Sequence, residues 1–148
     1  MSSPANPTIQ GKLSLSKPNK VFTVPTSFES DFFEKWCTFL EPFVHLTPRE
    51  NAVMASLLRH RYELSKEISD PTILDELLMS DRIKQEIITE CNITLQYFHV
   101  VISNLRKKKI VIDNAIHPKL IPPIKKECHG YFFLTIVFKD EKAIENDL

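Results

Sequence analysis

Only two glycines, Gly11 and Gly130, occur in the 148 residues, against ten prolines. Loops that cradle a phosphate need several glycines close together, so that backbone N–H groups can approach the anion. Two isolated glycines argue against a P-loop, a dinucleotide-binding fingerprint and a kinase-type loop, and no G-x-S-x-G nucleophile elbow occurs. The length fits one domain with enough chain for a core. With 43% hydrophobic and 26% charged residues, the chain has the composition of a folded rather than a disordered protein.

Nineteen bases balance nineteen acids, so no net field steers the molecule onto a polyanion. The balance is uneven along the chain. Residues 63–90 hold eight acids and three bases, a local −5, and residues 91–126 hold seven bases against Asp113, a local +6. One segment suits a basic partner and the other an anionic one.

Cys37, Cys91 and Cys128 are odd in number and far apart. No C-x-x-C or H-x-x-x-H spacing accompanies them, and His129 beside Cys128 cannot define a metal site alone. They read as free reduced thiols of an intracellular protein, with no metal and no cofactor expected. No apolar run approaches the roughly 20 residues that span a bilayer. Met1–Gln10 lacks the apolar core of a signal peptide, so a cytoplasmic location without membrane contact is expected.

Residues 1–20, rich in Ser, Pro and Asn, read as an extended N-terminal arm. Residues 21–139 read as a single domain, and 140–148 as a charged tail. Val21–Val24 is a short β-like run. Thr26-Ser27-Phe28-Glu29 has capping-box spacing, and Phe32, Phe33, Trp36, Phe39 and Leu40 predict an aromatic first helix ended by Pro42. Thr47-Pro48-Arg49-Glu50 is the clearest start signal: a cap, a proline suited to the first helical position and a closing glutamate. Val53, Met54, Leu57 and Leu58 form the inner stripe of this second helix.

Asp70-Pro71 starts a third helix with Ile73, Leu74, Leu77 and Leu78. Ser80-Asp81 starts a fourth with Ile83, Ile87 and Ile88, and the pattern leaves open whether the two are one bent helix. Asn92 is a left-handed stop. Thr94 caps a fifth helix whose Leu95, Phe98, Val101, Ile102 and Leu105 face inward, with basic residues 106–109 in its last turn. Ile110–Ile112 and Lys119–Ile121 predict two short strands around an Asp113-Asn114 turn. Tyr131–Phe138, apolar on both faces, is the strongest strand signal. It must be paired or covered, and Val21–Val24 is an available partner. No repeat is visible.

The order helix, helix, short turn, helix, strand, turn, strand resembles that of winged helix–turn–helix domains, and Asp81–Ile112 carries most of the likeness. Ile93-Thr94 resembles the hydrophobic-plus-cap pair after the turn. Phe98 and Val101 match the buried positions of the recognition helix. Leu105 to Ile112 resembles the family's basic passage from that helix into the wing, and Leu46–Glu50 resembles the "LTPRE" opening of LuxR-type and sigma-region-four-like domains. Asn92 and Lys109 depart from the family pattern, standing where glycine is usual. The resemblance covers residues 46–122. It implies an α+β fold: a winged-helix-like helical core, a small sheet or wing, and an N-terminal arm plus helix.

That fold serves both DNA readers and protein-contact modules. If the fifth helix entered a major groove, the resemblance would place Gln96, Tyr97, His99, Val100, Ser103, Asn104 and Lys107 toward the bases. Arg106, Lys108 and Lys109 would meet phosphates. His99 alone, with no partner at metal spacing, reads as an exposed polar residue. Asp75, Glu76, Glu86 and Glu90 read as solvated helix surface rather than catalytic carboxylates.

Two non-enzymatic functions follow. One is a DNA-binding winged helix, a small regulator or replication accessory contacting duplex DNA. The other is a structural or assembly subunit that touches protein partners or its own copies through the N-terminal arm and the 131–138 strand. The layout of arm, helices and strand resembles small tailed-phage proteins, so the second function would be that of a virion or head–tail component. No catalytic residues are expected, because no nucleophile–base pair or metal spacing occurs.

Overall fold

A computed structural model describes residues 20–142. It contains five helices: α1 (Phe32–Val44), α2 (Pro48–Ser65), α3 (Pro71–Leu78), α4 (Asp81–Cys91) and α5 (Leu95–Lys107). A two-stranded antiparallel sheet follows, β1 (Val111–Ile112) and β2 (Ala115–Ile116), and then short 3-10 turns at Pro118–Leu120 and Lys126–Cys128. The fold is α+β and mostly helical. The expected arm lies outside the described residues except for Lys20, and the expected tail lies outside them beyond residue 142.

Each helix start has a chemical cause. The Thr47 hydroxyl accepts from Glu50 N–H (3.2 Å), and Glu50 Oε1 accepts from Thr47 N–H (3.1 Å), a complete capping box with Pro48 at the first helical position. Asp70, Ser80 and Thr94 accept from the backbone of Thr72, Ile83 and Tyr97. The Ser80 cap makes α3 and α4 separate helices. The α1 start departs from expectation. The chain turns at residues 28–31, with Ser30 N–H bonded to Ser27 C=O (3.1 Å), and Asp31 precedes the helix while accepting from Ser27 N–H and the Thr26 hydroxyl. Pro42 does not end α1. It sits in the last turn, where its missing N–H costs one bond, and the helix runs on to Val44.

The helix ends show how a chain with two glycines turns. His45 (φ 52), Asn92 (φ 51) and Lys109 (φ 65) take the left-handed conformation after α1, α4 and α5. Around Asn92, Ile93 N–H bonds to Ile88 C=O (3.1 Å), and around Lys109, Ile110 N–H bonds to Leu105 C=O (2.9 Å). These are Schellman endings made without glycine. Asp113 (φ 52) and Asn114 (φ 61) supply the two positive φ values of a type I′ hairpin. That turn pairs Val111 with Ile116 and Ile112 with Ala115.

The second strand is therefore Ala115–Ile116 and not Lys119–Ile121, because a two-residue turn returns the chain at once. Helix α2 is the centre of the bundle, in contact with α1, α3, α4 and α5, and every residue from Val53 to Leu58 on it is buried. Phe33, Ile87, Phe98, Leu105, Ile110 and Ile116 close around it. Trp36 Nε1 donates to Leu120 C=O (2.9 Å), tying α1 to the chain beyond the hairpin.

The apolar ends differ most from expectation. Val21–Val24 and Tyr131–Phe138 are in no strand and do not pair with each other. Phe22 is 86% exposed and Phe138 94%. In α3, Leu74 and Leu78 are buried while Ile73 and Leu77 are exposed, and Phe39 of α1 is also exposed. An eight-residue helix lying on a bundle buries one stripe only.

Candidate nucleic-acid interface

Helix α5 is amphipathic by construction. Phe98, Val101, Ile102 and Leu105 enter the core, which fixes the rotation of the helix and turns Gln96, His99, Ser103 and Lys107 outward. These four recur every three or four residues along about 16 Å of helix. Val100 is exposed beside them, and so is Leu95, expected from the sequence to face inward: as the first residue of α5 it lies at the rim of the bundle and is 52% exposed. Among the described residues, no hydrogen bond or ion pair engages the side chains of Gln96, Ser103, Lys107 or Lys109, and His99 touches only the Phe98 ring.

The other sequence-selected residues are differently placed. Asn104 and Lys108 turn back toward the body. Glu50 is 4% exposed. Its Oε1 accepts from Lys108 Nζ (2.5 Å) and its Oε2 from Asn104 Nδ2 (3.2 Å). Lys108 Nζ also donates to His45 C=O (3.0 Å). Lys108 is thus a clamp between α5 and the α1–α2 junction, and its charge is offset locally. Arg106 donates to Asn114 Oδ1 (2.6 Å), joining the end of α5 to the hairpin turn while keeping its positive charge uncancelled. Tyr97 is half-buried under the Arg49 guanidinium, which lies 5.4 Å from the ring centroid. Arg49 and Tyr97, with Asn92, Ile93 and Thr94, line an open depression at the α4–α5 turn.

Burial by itself would raise the Glu50 carboxyl. The Lys108 ammonium, the Thr47 N–H and the Asn104 amide outweigh it and hold the group below its ordinary value of 4.5. Glu50 is the residue the sequence reading missed. The capping box identified its bond to Thr47, and nothing local in the sequence marked its second oxygen as the receptor for α5.

A second polar network joins α2 to α4. Glu90 accepts from the Ser56 hydroxyl (2.8 Å), pairs with His60 (2.8 Å) and forms an ion pair with Arg59. Burial pushes its carboxyl up, but the Ser56 and His60 hydrogen bonds and the Arg59 charge leave it below its ordinary value. Glu90 is therefore an interhelical tie rather than a merely solvated surface group. Asp75 lies 3.6 Å from Arg61, and Glu63 lies 3.2 Å from Lys66. Arg59 and Arg61, outside the −5 segment, thus offset two of its charges, and the positive charge of α5 stays open at Arg106, Lys107 and Lys109.

Among the described residues, no group of three His, Cys, Asp or Glu side chains is placed to hold a metal ion. No described helix is long and apolar enough to cross a membrane. No protein-family model, curated protein or solved structure matches the chain.

Proposed function

We propose that the chain is a non-enzymatic binding protein, a winged helix–turn–helix module that reads duplex DNA with α5, as a small regulator or replication accessory would. The observation that carries this reading is the outer stripe of α5. Gln96, His99, Ser103 and Lys107 are exposed and unengaged on a helix held rigidly by four core residues. The exposed face of an α-helix fits a major groove, and Gln can bond bidentately to adenine there. Leu95 and Val100 would meet thymine methyl groups. Arg106, Lys107 and Lys109 at the C-terminal end would contact phosphate. Lys108 and Asn104 are removed from the contact set, because Glu50 holds both.

The test is titration of labelled duplex DNA at several salt concentrations. Three phosphate contacts give a slope of log K against log salt of about −2.7, and Lys107→Glu lowers its magnitude by about 1. Binding that is insensitive to salt and to Lys107→Glu would sink the reading.

A second reading, an assembly subunit such as a virion component, is favoured by a different observation: the exposed apolar run at 131–138.

A further inference from the structure

After the Lys126–Cys128 turn the chain keeps one anchor on the body. Phe132 lies edge-on to Phe32 and to Trp36, with ring centroids 5.4 Å from each. Beyond it, Phe133, Leu134, Ile136, Val137 and Phe138 are 58, 47, 50, 41 and 94% exposed. Among the described residues, no backbone N–H or C=O of 132–138 is hydrogen-bonded. Tyr131 stacks on Phe133 (6.0 Å between centroids, 20° between planes), as alternate residues of an extended chain do. An extended apolar run with both edges open is a template for another strand.

We propose that this run pairs antiparallel with the same run of a second copy, about a two-fold axis at Thr135, and so makes the protein a homodimer. Three arguments select a second copy. The first is self-complementarity. In an isologous ladder centred on Thr135, this threonine faces its own symmetry mate. Leu134 then faces the second copy's Ile136, Phe133 its Val137, and Phe132 its Phe138. Every position is an apolar or a Thr–Thr pair, the combinations that stabilise antiparallel ladders.

The second argument is area. A fully exposed aromatic side chain presents about 150–250 Å². The exposures of Tyr131 and of the five residues above therefore leave roughly 650 Å² of apolar surface on each copy. Two copies bring up to about 1,300 Å² to the pairing, an upper limit on what it can cover, because side chains on the open faces of a two-stranded ribbon stay partly in water. The third is charge. Residues 125–129 carry two lysines against one acid, and residues 139–148 carry four acids against two lysines. Antiparallel pairing brings ends of opposite excess together, whereas parallel pairing would set like beside like.

This inference is independent of DNA binding and is tested without nucleic acid. Sedimentation equilibrium of the full chain is expected to give a monomer–dimer equilibrium. Leu134→Lys with Ile136→Lys, both at exposed positions, is expected to raise the dissociation constant at least roughly 100-fold while leaving the helical circular dichroism unchanged. With Cys91 and Cys128 replaced by serine, Thr135→Cys is expected to form an interchain disulfide on mild oxidation. Phe138→Cys is expected not to, because its symmetry mate lies several residues away along the ladder. A monomer at every concentration overturns the proposal. So does a dimer that the two lysines leave intact, or a Phe138→Cys cross-link as fast as that of Thr135→Cys.

Discussion

Glu50→Gln tests whether a buried charge holds α5 in place. The Glu50 side chain is 6% exposed and that of Lys108 34%. Removing one partner of a fully buried ion pair costs about 3–5 kcal/mol. Lys108 can turn toward water once released, and glutamine still accepts from Thr47 N–H, so the expected loss is smaller, about 1–2 kcal/mol. In a domain of this size that is a fall in Tm of roughly 3–10 °C, measured by circular dichroism. The pH dependence has a definite sign. The carboxyl of Glu50 titrates below 4.5 in the folded protein, so its contribution is complete above that value and is lost as pH falls through the lowered one. The stability gap between wild type and Glu50→Gln should therefore be flat near neutrality and close as the pH falls below 4.5 through the lowered value. A gap that stays undiminished in acid refutes the reasoning. So does a double-mutant cycle with Lys108→Met that gives a coupling below about 0.3 kcal/mol.

Three further outcomes are expected. Lys109 sits at φ 65 with an ordinary side chain, so Lys109→Gly should stabilise by about 1 kcal/mol in chemical denaturation, and Asn92→Gly by less, because asparagine tolerates this conformation. The Cys37 thiol is pushed up to about 12, first by burial and then by the nearby Glu34 charge. It should resist alkylation in the native state, whereas the half-buried Cys128 is modified, as mass spectrometry of labelled peptides would report. Phe132 covers the single tryptophan, Trp36, so Phe132→Ala should shift the tryptophan emission to the red; an unchanged spectrum would mean that the C-terminal run is not anchored there.

The legible part of the fold is the part set by local chemistry. Thr47-Pro48-Arg49-Glu50, Asp70-Pro71, Ser80 and Thr94 each announce a helix start through a side-chain oxygen that reaches its own backbone, and all four starts occur. Four of the five positions of α5 expected to face inward, Phe98, Val101, Ile102 and Leu105, are buried, as the period implies; Leu95, in the first turn, is not. What depends on distant residues was not legible. Lys108 and Asn104 look as available as Lys107 in the sequence, and only the approach of Glu50, more than fifty positions earlier, separates them. The strands failed for a related reason. Asp113-Asn114 can adopt two successive positive φ values, so the chain reverses after two residues instead of reaching Lys119. Tyr131–Phe138 has strong strand character and, among the described residues, no strand beside it, and propensity does not supply a partner.

The two proposals constrain each other through symmetry. A two-fold axis at Thr135 would carry the outer face of one α5 onto that of its copy in reversed orientation. A dimer reading DNA with both helices therefore needs two half-sites related by the same axis, an inverted repeat spaced by about one helical turn or a multiple of it. Selection from random duplexes by the full chain should then return inverted repeats, and selection by the Leu134→Lys, Ile136→Lys variant should return single half-sites bound more weakly. If the wild type also returns single half-sites, the pairing of 131–138 does not orient α5 on DNA. The DNA reading would stand on Lys107 and the outer stripe alone, and the apolar run would serve assembly independently of it.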